Sequence, residues 1–135
     1  MSEIVLFDSS VLIDQIRTNR HLDRIEQIDG LIRNSSVVLA ELWRGASSRV
    51  DRKAIAELEA DHPILTPTTN NWVESGQLLA EIRAGEGFEP GKLRDLHFDV
   101  LIALTARACG AKLITSNRAD FELIRKYRNF RLEVW

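Results

Sequence analysis

The sequence has a single cysteine, Cys109, so it can form neither an internal disulfide nor a cysteine-rich zinc site. No apolar stretch approaches the roughly 20 residues that a membrane-spanning helix needs. The first residues are not basic, and the apolar run after them stops at Asp8, so the start of the chain does not resemble a signal peptide. We therefore expect a cytoplasmic protein that does not enter membranes.

An excess of positive charge is also lacking. The chain has 18 basic and 20 acidic residues and a formal net charge of −2, which argues against binding of nucleic acid by overall charge. It leaves room for a local basic rim around an acidic site. With 135 residues, of which 44% are hydrophobic and 28% charged, residues 1–135 have the size and composition of one globular domain.

Short apolar runs alternate with helical patterns, and no hairpin signal separates them. This order predicts an α/β three-layer sandwich, in which helices flank a central parallel sheet of four to five strands. Expected strands or extended segments lie at 4–7, around 35–36, at 63–65, 112–115 and 130–134. Expected helices cover 10–16, 22–32, 37–46, 49–60, 70–85, 96–108 and 120–127. Glycines and a proline between residues 85 and 91 predict the longest loop.

Three acids stand alone inside apolar sequence. Asp8 closes the run Ile4–Phe7, Glu41 lies within Val37–Trp43, and Asp99 precedes Val100–Leu104. A carboxylate held against a core loses hydration worth several kcal/mol unless a cation or good donors replace it. In a parallel sheet such groups collect where strands end and helices begin. A shared metal ion would explain all three acids, and Asp120 follows a strand closely enough to be a fourth.

Four segments together resemble the PIN-domain family, and within it the VapC-type toxin ribonucleases of bacterial toxin–antitoxin systems. Their order and separation make the resemblance specific, although each segment alone is weak. The four segments are FDSSVLI at 7–13, LAELWRG at 39–45, FDVLIALTA at 98–106 and LITSNRADF at 113–121. Val38 stands where relatives commonly have the Thr or Ser that opens the helix carrying the Glu, so Ser36 is the expected cap instead.

This resemblance implies a metal-dependent endoribonuclease that hydrolyses RNA phosphodiester bonds through a metal-activated water. It implies inhibition by a cognate antitoxin protein, and relatives imply a homodimer. By position it assigns catalysis and binding of Mg²⁺ or Mn²⁺ to Asp8, Glu41, Asp99 and Asp120, with Ser10 and Asn117 in support. All-oxygen ligands suit such hard cations. Four basic residues near the expected site could contact RNA phosphates: Arg44, Lys92, Arg94 and Arg118.

Ordinary structural roles compete with these assignments. Asp8 could cap a helix, Glu41 could lie on a solvated helix face, and Asp120 could sit near the positive end of a helix dipole. Asn117 could be a turn residue and Ser10 a cap. His97, two residues before Asp99, is expected not to be a metal ligand. The two tryptophans Trp43 and Trp72 are expected in the core or at a dimer contact, and Cys109 in the interior.

Two other functions remain open on the same fold. A catalytically inactive binding module would keep the sheet without using the acids, although a scaffold gains nothing from buried, unpaired charge. An aspartate-based phosphohydrolase is the second alternative. Its first strand would be followed by Asp-x-Asp, whereas Ser10 stands at the second acid position here.

Overall fold

The computed structural model describes residues 2–135 and contains one five-stranded sheet in the order β3-β2-β1-β4-β5, with all neighbouring strands parallel. Seven helices flank it, which confirms the predicted α/β sandwich. The strands are β1 (Glu3–Phe7), β2 (Gly30–Ser35), β3 (Ile64–Leu65), β4 (Lys112–Thr115) and β5 (Arg131–Val134). The helices are α1 (Ser9–Thr18), α2 (Leu22–Glu26), α3 (Ser36–Gly45), α4 (Arg49–Asp61), α5 (Thr69–Glu86), α6 (Pro90–Cys109) and α7 (Arg118–Tyr127).

The core lies between the sheet and its helices, and α6 contributes most to it. Residues 100–106 of α6 are all buried, as its apolar sequence predicts, and they pack with Leu6 of β1 and Leu113 of β4. Gly110 ends α6 in the left-handed conformation with φ 65°, which a residue without a Cβ adopts at little cost. No helix within residues 2–135 has both the length and the hydrophobicity to cross a membrane.

The predicted second helix was wrong over its second half. It ends at Glu26, and Gly30–Ser35 instead form strand β2, which pairs with β1 from Glu3↔Gly30 to Leu6↔Arg33. A Cβ on Gly30 would lie 2.7 Å from the Glu3 carbonyl oxygen, so the close pairing needs glycine there. The spacing of Leu31 and Ile32 suits a helix, but the long-range pairing with β1 decided their structure.

The loop predicted between residues 85 and 91 exists but covers only residues 87–89, so it is not the long loop that was expected. Gly85 lies inside α5, Gly87 ends that helix with φ 71°, and Pro90 occupies the first turn of α6. Proline is tolerated there because the first helical N–H groups have no partner within the helix. As a result α6 begins six residues before the expected Leu96, and Asp99 lies in the middle of this helix.

Candidate metal centre

Asp8 follows β1 at the sheet edge where the carboxyl ends of the parallel strands meet. It stands at the capping position of α1, but its side chain makes no capping hydrogen bond. Instead its Oδ2 accepts hydrogen bonds from the hydroxyls of Ser10 at 2.8 Å and Thr115 at 2.9 Å. Its Oδ1 is buried and has no hydrogen-bond partner among residues 2–135. Helix capping therefore does not explain this side chain, and Oδ1 is free to bind a ligand.

Glu41 lies on α3, which directly follows β2, the strand that pairs with β1. Ser35, not the expected Ser36, caps α3 by accepting a hydrogen bond from the Val38 N–H at 3.3 Å. The Oε1 atom of Glu41 is buried without a partner in the described chain. Burial, and then the charge of Asp8, raise the pKa of Glu41, while the Ser9 hydroxyl and Arg44 lower it. Glu41 is thus electrostatically coupled to Asp8 and is not a solvated surface residue.

Asp99 shows the strongest electrostatic perturbation of the candidate acids. Burial first, and then the charges of Asp8, Glu41 and Asp120, raise the pKa of Asp99 to about 8, against a smaller opposing effect of Lys92. Like charges that share a site disfavour one another's ionised forms, so this shift means that the four carboxyl groups face a common space. We call these four residues the acid cluster.

Asp120 differs from the other members because its oxygens already have partners. It lies in the first turn of α7. Its Oδ1 accepts from Lys92 Nζ at 3.0 Å, and its Oδ2 accepts from Asn117 Nδ2 at 3.1 Å. Both supporting residues, Ser10 and Asn117, therefore make a direct hydrogen bond to an acid of the cluster.

The donor set of the acid cluster fits a hard divalent cation with a partial water shell. Within residues 2–135, no group of three or more Asp, Glu, His or Cys side chains is already arranged to hold a metal ion. Mg²⁺ does not require such a cage, because it usually binds through one or two carboxylates and keeps several waters. The buried, unpartnered oxygens of Asp8 and Glu41 supply two such ligands.

The family model of the PIN domain matches residues 5–127 of the chain, which include every acid of the cluster. The chain belongs to the PIN-domain family. No protein with a curated description matches the sequence.

Solved structures of VapBC complexes share this fold over nearly the full length of the chain. A chain of DNA-bound VapBC from Salmonella typhimurium is 27% identical with a TM-score of 0.71, and the match covers 100% of this chain and 99% of that one. A chain of promoter-bound VapBC2 from Rickettsia felis is 24% identical with a TM-score of 0.77 and 98% coverage of both. VapBC-1 from nontypeable Haemophilus influenzae gives 24%, 0.73 and 98% of both.

The sequence analysis missed Thr115 as a site residue. It is the last residue of β4, fully buried, and its hydroxyl also lies 3.4 Å from Ser10 Oγ. Because β4 pairs directly with β1, the ends of these strands are adjacent, and a hydroxyl at the end of β4 can reach Asp8. The polar side chain at the end of an apolar strand was the available signal.

The other residues singled out in the sequence lie outside the acid cluster. His97 contacts the Ser75 hydroxyl at 3.0 Å rather than an acid of the cluster. Arg118 forms an exposed ion pair with Glu122 at 3.4 Å. The expectation of burial was wrong for Cys109, which lies exposed at the end of α6. A core position was likewise wrong for the two tryptophans, which are exposed: Trp43 and Trp72.

Proposed function

We propose that the protein is an endoribonuclease that depends on Mg²⁺ or Mn²⁺ and acts in the cytoplasm as the toxin of a type II toxin–antitoxin pair. Residues 1–135 would form a single nuclease domain. Membership of the PIN-domain family supports a nuclease. One observation carries the proposal furthest: Asp8 Oδ1 and Glu41 Oε1 are buried without a hydrogen-bond partner among residues 2–135, and they lie beside the half-buried carboxyl groups of Asp99 and Asp120. Uncompensated, this arrangement destabilises the protein, so we expect a cation to compensate it.

The residues of the chain have distinct proposed roles. Ser10 and Thr115 fix Asp8 through Oδ2 and leave Oδ1 for a ligand. Glu41 contributes Oε1 from the neighbouring helix, and Asp99 completes the negative site. A bound divalent cation supplies an activated water and offsets the charge that develops on the phosphate.

Lys92 has a proposed electrostatic role at the rim of the site. It neutralises Asp120 at 3.0 Å and lowers the pKa of Asp99. Its side chain is 40% exposed, so it can move to a substrate phosphate when one binds.

We further propose two protein partners, a cognate antitoxin and a second copy of the chain. The structural similarity to chains of VapBC complexes supports the antitoxin. Exposed aromatic and aliphatic side chains support the homodimer, since Trp72 is 52% and Val73 is 60% exposed at the start of α5. Light scattering of the purified chain tests the dimer, and co-purification with the product of a neighbouring gene tests the antitoxin.

Cleavage assays with matched variants test the nuclease function. We expect the purified chain to cleave RNA with Mg²⁺ or Mn²⁺ and to lose this activity in EDTA. The Asp99→Asn variant should lose activity by a factor of at least about 100. The control is Asp61→Asn, which removes an exposed acid at the end of α4 and should leave cleavage unchanged.

Two outcomes would contradict the proposal. Full activity of Asp99→Asn would remove the acid cluster from the mechanism. A wild-type chain that binds RNA or antitoxin but never cleaves RNA with either cation would favour the inactive binding module instead.

A further inference from the structure

A cavity opens beside the acid cluster, and the proposed chemistry does not use it. It has a volume of about 220 Å³ and lies between α3 and α6, where it shares Glu41 with the cluster. This volume is below the range of roughly 300–1,000 Å³ typical of sites for drug-sized ligands. The cavity therefore suits one small unit of a larger molecule. Its other lining residues are Arg44, Arg94, Asp95 and Phe98.

The walls of this cavity combine an exposed aromatic ring with unpaired positive charge. Phe98 is 36% exposed although it directly precedes Asp99 on α6. The guanidinium carbon of Arg44 lies over its ring, 5.6 Å from the centroid. Among the ion pairs within residues 2–135, none involves Arg44 or Arg94. An aromatic face and free guanidinium groups are the two features by which proteins hold single-stranded RNA.

We propose that this cavity binds one unpaired nucleotide next to the cleaved bond, with its base stacked on Phe98 and its phosphates held by Arg44 and Arg94. This proposal rests on the proposed ribonuclease function. It assigns a role to Phe98, which lies outside the acid cluster, and it gives the two arginines a common target. A paired base cannot reach the ring, because its faces are covered by its neighbours in the helix. The enzyme should therefore cleave in loops or single strands.

The position of the cavity sets where the nucleotide lies. Glu41 belongs both to the acid cluster and to the cavity, so a base stacked on Phe98 lies next to the reacting phosphate. Arg44 and Arg94 place two positive charges in this cavity next to the carboxyl groups of Glu41 and Asp95. Because neither arginine is ion-paired within residues 2–135, both are available to offset the repulsion between the acid cluster and the RNA backbone.

A comparison of two exposed aromatic residues tests the proposal. Phe98→Leu removes the stacking face and keeps an apolar side chain, and Phe98→Tyr restores an aromatic ring. Trp43→Leu is the control, because Trp43 is 39% exposed and does not line the cavity. Cleavage of a short single-stranded RNA is measured for each variant, together with versions of that RNA that lack one base at each position in turn.

We expect Phe98→Leu to raise KM about 10-fold, in the range reported for loss of one stacked base, with little change in kcat. Phe98→Tyr and Trp43→Leu should behave like wild type. For wild type, removing the base at one position beside the cleavage site should raise KM by a similar factor. For Phe98→Leu, removing that same base should have no additional effect, which a purely structural defect would not produce.

Different failures have different meanings. If wild type cleaves RNA but Phe98→Leu matches Trp43→Leu, the nucleotide site is refuted and the ribonuclease function stands. If Phe98→Leu turns a dimer into a monomer in light scattering, the ring contacts a second copy and the proposal is wrong. Weaker antitoxin binding with an unchanged KM would assign the cavity to the antitoxin and refute it as well. If wild type neither cleaves nor binds any RNA, both proposals fail.

Discussion

Replacement of Asp99 by Asn should stabilise the metal-free protein at mildly alkaline pH, although it removes a residue of the proposed site. Burial, followed by the charges of the other three acids, raises the pKa of Asp99 to about 8 in the folded chain. An aspartate in an unfolded chain titrates near ~3.9. Between these values the unfolded state has released a proton that the folded state keeps. A rise in pH therefore favours unfolding across this window, and the effect levels off above about pH 8.

The size of the effect follows from the same two values. At about 1.4 kcal/mol per pKa unit, the full difference corresponds to a maximum of 5 to 6 kcal/mol, on the order of half the stability of a domain. Entry of water and small side-chain movements relieve part of this repulsion. We therefore expect Asp99→Asn to raise the free energy of unfolding by about 2 kcal/mol near pH 8. The difference from wild type should shrink as the pH falls toward about 4.

Urea unfolding in EDTA at several pH values measures this difference, with Asp61→Asn as the control for removal of an exposed acid. Addition of Mg²⁺ should then stabilise wild type more than Asp99→Asn, because only the complete cluster binds the cation well. Two results would refute the reasoning. One is a destabilised Asp99→Asn in EDTA near pH 8. The other is a difference from wild type that does not vary with pH, since this would mean that hydrogen bonds rather than repulsion dominate around Asp99.

Three further predictions concern the support of the site and its inhibition. Thr115→Val removes a donor to Asp8 and should lower kcat at least about 10-fold while costing about 1 kcal/mol of stability. The control Thr105→Val removes a buried hydroxyl that is bonded only within α6 and should leave kcat unchanged. Equal losses of kcat in both variants would contradict a role of Thr115 at the site. Gly85→Ala should destabilise the folded protein by about 1–3 kcal/mol in thermal unfolding, because the new Cβ would lie 2.1 Å from the Tyr127 hydroxyl. The control Gly76→Ala has open space around the new Cβ and should be neutral or stabilising. If the antitoxin inserts an arginine into the acid cluster in place of the cation, Mg²⁺ should weaken antitoxin binding in calorimetry, and affinity independent of Mg²⁺ would exclude this mode.

Local sequence was sufficient to single out three of the four acids of the cluster. An acid in an apolar run is costly wherever the chain folds, so Asp8, Glu41 and Asp99 could be identified before their positions in space were known. The parallel sheet followed from the alternation of apolar strands and helical patterns. The residues that orient the cluster depend on contacts between distant parts of the chain, and these are much harder to predict.

Thr115 and strand β2 illustrate that difference. The bond from Thr115 to Asp8 joins residues that are 107 positions apart, and the polar residue at the end of β4 can be assigned to Asp8 only once the pairing of β4 with β1 is known. Residues 30–32 continue a helical spacing locally but become part of a strand because β1 lies beside them. The cavity between α3 and α6 was not predicted for the same reason, since Arg44 and Phe98 come from helices that only the folded sheet brings together.

The pairing of β1 with β4 has a consequence for synthesis of the protein. β1 pairs with β2 early in the chain, but its second neighbour is made more than a hundred residues later, because Phe7 pairs with Ile114. Long-range parallel pairing of this kind is slow and forms late in folding. A nascent chain that has emerged through α4 therefore carries Asp8 and Glu41 without Asp99 or the Thr115 donor. The acid cluster therefore cannot assemble, and the proposed nuclease cannot act, until α6 and β4 have left the ribosome.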